Sequence, residues 1–594
     1  MFSSERYDLL RYYSFRSAHD HVSMSDGDQL YFIADISGKP EIWRLDRPGG
    51  FPEQVTFLEY GVSNLKPWND RLLFQMDVGG SEEYKIAELN RGGSIRVILD
   101  EEGTIFRLGE PSSDGSFSFS SNSRDRRCFD SYLRRADGSV VKVLELEGTS
   151  LPLGFDFESR RLLVSVSNSN LDNDIFLVEL AESGPSAPRK IVPHREEALF
   201  QYCKFGKDDL VYFASNLGGE FLQPMVYDPS TAHTKALASG NWDVCAMDVS
   251  RDGLLAFARN ADGSSDLTIF GPDFGKLYHE IFEGVISELK FTPGKARLDF
   301  VYSDYGSNQN IRSLELGSKS VTALTRVSPG HPGPAVKPEL IRYETFDGRK
   351  IPCFVYSAPS GTNQLPPVVV YVHGGPESQK TSEYDGQIQF FLSRGLAVLT
   401  PNVRGSTGYG KSYVHLDDVE KRLDSVKDLA WLAKWIRASG RFDAERVCVM
   451  GRSYGGYMVL ASLAFFPEYW RCGVESVGIA NFESFLRNTS VWRRKLREVE
   501  YGSLERDTEL FRQISPIHFV DRIRAPLLVQ HGTNDPRVPI DESRQIVHAI
   551  KSRGGYADLV VFENEGHMNQ NLSSRIKWAE RVWEFLKLHL LSNG

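Results

Sequence analysis

Gly451-Arg452-Ser453-Tyr454-Gly455-Gly456 follows the apolar run RVCVM and precedes YMVLASLAFF. The first run reads as a strand and the second as a helix, so Ser453 falls on the turn between them. Small residues around the serine suit a strained strand-to-helix turn, which leaves no room for side chains. A serine hydroxyl is a weak nucleophile until a neutral imidazole takes its proton. The imidazole in turn needs a carboxylate to fix its tautomer and stabilise its cation. On such a sheet the partners are expected in the order serine, acid, histidine, each on a loop after a later strand. Asp535, in HGTNDPRVP, directly follows the strand APLLVQ. Three histidines lie beyond it. His548 falls within the helical SRQIVHAIK and His589 within FLKLHLL, both expected as packing residues. His567, in ENEGHMN, follows the strand ADLVVF and a glycine. Ser453, Asp535 and His567 are therefore the candidate triad of a serine hydrolase.

The oxyanion formed by attack on a carbonyl needs two backbone N–H donors. Tyr454, next after the nucleophile, supplies one. The other is expected from the loop after an early strand, where His373-Gly374-Gly375-Pro376 follows PPVVVYV and its glycines allow close backbone approach. This chemistry needs no metal and no cofactor. A rival motif is Gly405-Ser406-Thr407-Gly408-Tyr409-Gly410-Lys411-Ser412, which fits the phosphate-cradling pattern G-x-x-x-x-G-K-[ST] after an apolar strand. Against nucleotide binding, SYVHLDDVEKRLDSV has no strong apolar helix face directly after Lys411, and no apolar strand ending in Asp is placed as a metal ligand. His19-Asp20-His21 lacks the further ligands that a metal would require.

Two kinds of element position these groups. Over residues 20–327, short alternating apolar runs are bounded by Gly, Asp, Asn and Ser. Runs beginning at Leu30, Leu72, Phe117, Leu162, Leu210, Leu254 and Leu298 recur every 42 to 48 residues. An all-strand repeat of that length predicts a β-propeller, of seven blades on this count; a pair of β-sandwiches would not impose so even a period. From residue 340 to 594 the pattern changes. Apolar β-branched runs (366–372, 395–403, 446–451, 525–532, 557–564) alternate with helical segments (417–437, 454–466, 541–553, 573–591). That alternation predicts a mostly parallel sheet covered on both faces, an α/β-hydrolase domain. SPGHPGPAVKPE, residues 328–339, reads as the linker, and residues 1–19 as an N-terminal extension that could pack on the hydrolase domain.

The chain of 594 residues has 69 basic and 79 acidic side chains, so no global field draws it to nucleic acid or an anionic membrane. Its 41% hydrophobic content excludes disorder. Cys128, Cys203, Cys245, Cys353, Cys448 and Cys472 form no C-x-x-C pair and read as buried thiols. The start, MFSSERYDLLRYYSF, carries charges where a signal peptide needs an apolar stretch, and no apolar run approaches about 20 residues. A cytoplasmic protein is expected.

His373-Gly374-Gly375-Pro376, residues 402–410 (NVRGSTGYG), the 451–456 turn, Asn534-Asp535-Pro536-Arg537-Val538-Pro539 and Glu565-Gly566-His567 together resemble the prolyl oligopeptidase family of serine peptidases, most closely its acylaminoacyl-peptidase branch. The match is specific over residues 340–590 and only architectural over the propeller. The resemblance implies that Gly375 and Tyr454 form the oxyanion hole and that Arg537 binds a substrate carbonyl. It also implies that the propeller caps the site, admitting short peptides, and that exposed sheet edges mediate homo-oligomers in relatives. The S1 pocket would be lined from the segment after the next strand, where Phe482, Phe485 and Trp492 are either pocket wall or ordinary core. Arg493, Arg494 and Arg497 follow. They form a solvated helix face, or one or two of them hold a substrate carboxylate, as in a carboxypeptidase. A dipeptidyl-peptidase reading would use a propeller glutamate pair; Glu196-Glu197 sits in surroundings that match that branch poorly and reads as surface charge. A propeller scaffold carrying a silent hydrolase is disfavoured by the intact triad.

Overall fold

The computed structural model describes residues 4–24, 27–46, 50–328, 335–358 and 364–592. They form two compact units: described residues of Met1–Phe15, Tyr305–Ser307 and Ser328–Gly594 make one, and Arg16–Asp304 with Asn308–Val327 the other. Of the expected linker 328–339, residues 329–334 lie outside the described residues; Glu339 already opens a strand.

The second unit is a seven-bladed β-propeller. Six of its antiparallel sheets have four strands, and one adds a fifth. Each predicted apolar run is the second strand of its blade, for example Gln29–Ala34, Arg71–Asp77 and Arg297–Asp304. A second strand is flanked by its own sheet on both edges and by neighbouring blades on both faces, so both of its side-chain sets are apolar or satisfied. Phe117–Ser121 shows the second case: all five residues are buried, and the Ser118 hydroxyl donates to the Glu110 carbonyl at 3.0 Å. Outer strands such as Lys276–Phe282 are largely exposed and carry little apolar signal. The first and last blades share no strand. Side chains join them instead, with Glu288 accepting from Asp20 N–H at 2.9 Å and Lys290 donating to the His21 carbonyl at 2.7 Å. His21 itself lies 3.3 Å from Glu288. A cavity of about 670 Å³ is lined from the first strand of every blade, including Val22, Pro111, Met247 and Leu289. Glu196 caps Gly218 N–H at 2.9 Å on the exposed outside.

The first unit is built on one eight-stranded sheet: β1 (Glu339–Glu344), β2 (Lys350–Tyr356), β3 (Val368–Val372), β4 (Ala397–Pro401), β5 (Val447–Arg452), β6 (Cys472–Ser476), β7 (Leu527–Gly532) and β8 (Ala557–Phe562). Their spatial order is β1-β2-β4-β3-β5-β6-β7-β8, parallel from β4 onward. Side chains alternate along these strands. Val368, Val370 and Val372 join Val447 and Val449 in one core layer, while Val369, Cys448 and Met450 join the opposite one. Each layer is roofed by helices. On the first side lie α3 (Arg422–Ser439), α4 (Tyr454–Phe465) and α5 (Asp541–Ser552); on the other lie α1 (Ser4–Tyr13), α2 (Gly386–Ser393) and α6 (Leu572–Leu586). A fully buried Val or Leu contributes about 1.5–3 kcal/mol, which makes these two layers the main stabilising term of the unit. The helix expected from 417 begins only at Arg422, because tight turns at His415–Asp417 and Val419–Lys421 draw Asp417 inward to meet Arg422.

Candidate active site

Strand register brings the site together. Val372 pairs with Gly451, Arg452 with Ser476, Ser476 with Gln530, and Gly532 with Phe562, so the five loops that follow share one edge of the sheet. Backbone bonds lock those loops to each other. Ser453 N–H donates to the Ser476 carbonyl at 2.8 Å, and Asn534 N–H to that of Glu565 at 2.9 Å. Ser453 has φ 59° and ψ −120°, a conformation that costs a non-glycine residue on the order of 1–3 kcal/mol. The surrounding glycines make it attainable. A Cβ on Gly455 would stand 2.4 Å from the Val372 carbonyl oxygen, and one on Gly456 2.6 Å from Gly478 Cα. The turn therefore packs directly on β3 and on the loop after β6.

His567 Nδ1 lies 2.7 Å from Asp535 Oδ2. The other carboxylate oxygen accepts N–H groups of Arg537 at 2.9 Å and Val538 at 3.1 Å. Both side chains are buried. Burial alone would raise the Asp535 pKa, but the His567 and His531 imidazoles and these hydrogen bonds outweigh it, leaving the carboxyl below its ordinary value. Burial also disfavours the His567 cation, and Asp535 offsets that only in part, so the imidazole titrates below its usual range. Because the base works as neutral imidazole, the acid limb of kcat/KM is expected to have its midpoint below about 6.5. A pH profile of hydrolysis checks this, and a midpoint above 7 would contradict it.

Arg452 links nucleophile and base: its guanidinium donates to the His567 carbonyl. Gly374 abuts the nucleophile, since a Cβ there would lie 3.4 Å from Ser453 Cβ. Gly375 follows with φ 131°. The Tyr501 hydroxyl donates to the Gly375 carbonyl at 3.4 Å. Tyr454 opens α4 with its ring buried and its hydroxyl 2.8 Å from Asp417 and 3.0 Å from Arg422. Both oxyanion candidates are thus held by side chains behind them. Oxygens of Asp417, Asp418 and Glu500 gather within 4.8 Å, but Arg422 bonds Asp417 and Glu500 among them, which makes this a buried ion-pair cluster.

The substrate-side expectations divide. Phe482 is wholly buried against Tyr457, Tyr501 and Phe511, and Phe485 packs on Tyr501, so both belong to one aromatic cluster. Trp492 is half-buried, with the Arg493 guanidinium 4.3 Å above its ring. Arg494 donates to the Arg487 carbonyl at 2.8 Å, and Arg497 to Glu377, beside the oxyanion loop, at 3.2 Å. Arg537 is half-buried next to Asp535, and its carbonyl accepts from Thr489 at 2.8 Å. His589 packs on Phe585 and Tyr556 as expected, whereas His548 is exposed, facing away from the sheet. The phosphate-cradle motif does not form a nest. N–H groups of Gly405, Ser406 and Thr407 are spent on carbonyls of Tyr413, Val403 and Ser378, and the helix at Lys411–Val414 has only four residues.

Sequence reading missed Arg452, Tyr501, Glu475 and His531. A charged residue inside an apolar strand (CGVES) and a histidine ending a strand four residues before the acid were the available signals.

Residues 382–593 match the Prolyl oligopeptidase family, a stretch that includes Ser453, Asp535 and His567 and begins after Gly375. Dipeptidyl aminopeptidase BIII of Pseudoxanthomonas mexicana is 35% identical over 206 residues, 34% of this chain and 30% of that protein. Acylamino-acid-releasing enzyme 2 of Oryza sativa subsp. japonica is 27% identical over 256 residues, 41% of this chain and 33% of that protein. The chain thus spans about a third of the length of these curated relatives. The crystal structure of a puromycin hydrolase superposes with a TM-score of 0.84 at 20% identity, covering 98% of this chain and 95% of that one, which shows a common fold. Among the described residues no helix is long and apolar enough to cross a membrane.

Proposed function

We propose that this chain, which carries a prolyl oligopeptidase family domain over residues 382–593, is a serine peptidase that cleaves short peptides through an acyl-enzyme. Ser453 Oγ attacks the scissile carbonyl while His567 Nε2 takes its proton and Asp535 stabilises the imidazolium. N–H groups of Gly375 and Tyr454 hold the oxyanion. As the C–N bond breaks, His567 returns the proton to the leaving amine. Water then attacks the acyl ester, again passing a proton to His567, and the acid leaves with Ser453 restored. The observation that carries this reading is the strained Ser453 turn tied through Arg452 to the same loop whose His567 meets Asp535 at 2.7 Å.

The relatives' names speak of dipeptidyl and acylamino-acid release, which supports trimming at the N-terminal end. The carboxypeptidase alternative gains no support from Arg494 and Arg497, whose guanidinium groups are engaged by Arg487 and Glu377. Restriction to short peptides by the propeller, Arg537 as a carbonyl ligand, a cytoplasmic location and self-assembly belong to the same proposal. The six cysteines form no disulfide with one another, which favours the reducing compartment. Mass spectrometry of a peptide library with free, acetylated and amidated ends tests the specificity. The expected result is release from the N-terminal end, with C-terminal amides cleaved as fast as free acids. Release of single C-terminal residues that amidation abolishes would overturn it.

A further inference from the structure

Behind the triad a chain of buried polar groups runs across three elements. His531, at the end of β7, is fully buried, with Nε2 2.9 Å from the Val538 carbonyl and Nδ1 2.7 Å from Ser543 Oγ on α5. Ser543 Oγ is 3.4 Å from Glu475 Oε1 on β6, and Glu475 Oε2 accepts Gly478 N–H at 2.8 Å. Gly478 is the residue against which Gly456 of the nucleophile turn packs. The chain therefore spans from beneath the nucleophile to the turn that carries the acid.

Proton accounting fixes its polarity. A carbonyl only accepts, so Nε2 of His531 carries a hydrogen. In a neutral ring Nδ1 is then bare and accepts the Ser543 hydroxyl proton. Ser543 then turns only lone pairs to Glu475 Oε1 at 3.4 Å, a pairing that suits a protonated carboxyl. Burial favours this state at both ends. It pushes Glu475 up to about 8, with Glu542 adding to the rise and Gly478 and Arg452 opposing it, as would a Ser543 hydroxyl turned toward the carboxylate. It also lowers His531 against the pull of Asp535, with His567 and Arg452 acting in the same lowering sense. The opposite polarity would put an imidazolium 3.6 Å from Asp535 Oδ2, competing with His567 for the one carboxylate.

We propose that His531 is a positioning residue of the triad: as a neutral imidazole anchored by Ser543 and protonated Glu475, it holds the Asp535 turn through Val538 and leaves the carboxylate charge to His567. The link is short, because Val538 accepts from His531 through its carbonyl and donates to Asp535 Oδ1 through its N–H. This rests on the serine hydrolase reading. The experiment keeps the two apart by measuring second-order labelling by a fluorophosphonate, which needs no known substrate. Ser453 Oγ bonds to phosphorus, fluoride leaves, and the proton passes to His567. Groups facing His567 in the profile are Asp535, Arg452 and Arg537.

From pH 5 to 9, His531→Phe is expected to label about tenfold more slowly, with its acid limb moved to lower pH because a loosened Asp535 supports the imidazolium less. His531→Gln keeps a donor for Val538 and should recover part of the rate. Ser543→Ala should shift the limb in the same direction by less. Glu475→Gln, which can donate to Ser543 and accept from Gly478, should stay within about twofold of the parent. Folded His531→Phe or Ser543→Ala protein with the parental rate and limb would overturn the inference. A Glu475→Gln loss as large as that of Ser543→Ala would also overturn it. If His531→Phe fails to fold, Ser543→Ala decides, and failure of both to fold overturns it by making these residues scaffold. A parent chain that does not label at all refutes the hydrolase reading itself.

Discussion

Ser453→Ala is expected to lower kcat on any peptide or ester substrate by about a million-fold, to the residual rate that an oxyanion hole and binding alone provide. The hydroxyl is the atom that forms the acyl bond, and neither flanking residue is placed to replace it: Tyr454 and Arg452 point their side chains into Asp417 and the His567 carbonyl. The scaffold should survive. Alanine keeps the Cβ that packs near Gly374, and the Ser453 N–H and carbonyl bonds to Ser476 and Tyr457 are made by the backbone. Turnover, fluorophosphonate labelling and thermal melting on the same preparation check this. Retention of more than about a hundredth of the rate in a folded variant would place the nucleophile elsewhere.

Asp535→Asn should cost about 10⁴ in kcat without unfolding the protein, and the reason lies in which oxygen is already used. Oδ1 accepts two backbone N–H groups, from Arg537 and Val538, so the amide oxygen of Asn is required there. Its NH₂ must then face His567. The imidazole has to accept at Nδ1 and carry its hydrogen on Nε2, the wrong tautomer for taking a proton from Ser453. Raising the pH cannot repair a tautomer, so the loss should persist across the profile, unlike the acid limb of the parent. A rate within tenfold of the parent at any pH from 6 to 9 would contradict the assignment of Asp535 as the orienting acid.

Legibility in the sequence followed local environment. Runs such as LYFIAD and LLVSVS could be read as blade strands because each is buried on both faces, so burial dictates every position. Strands such as His233–Ala236 and Lys276–Phe282 form the outer rim, face water, and carry no pattern to read. The nucleophile turn was legible for a similar reason: Gly451, Gly455 and Gly456 answer to backbone atoms that leave no space for a Cβ. His548 was misplaced because helical periodicity alone does not say which face of α5 meets the sheet.

From the chain alone came the repeat of seven blades, the alternation of strand and helix, and the serine, acid and histidine in their order, each written in a few adjacent residues. Only the tertiary structure decided that Phe482 packs in an aromatic cluster, that Arg497 is committed to Glu377, that Arg452 bonds the loop of His567, and that Glu475 and His531 meet through Ser543. The physical reason is distance along the chain. Each of those roles is a hydrogen bond, ion pair or ring contact between segments that no local period relates, as Arg452 and His567 lie 115 residues apart and Ser543 and Glu475 68 apart. Partners of that kind are set by the packing of the sheet edge, where the pairing of β3, β5, β6, β7 and β8 brings the five loops that follow them together.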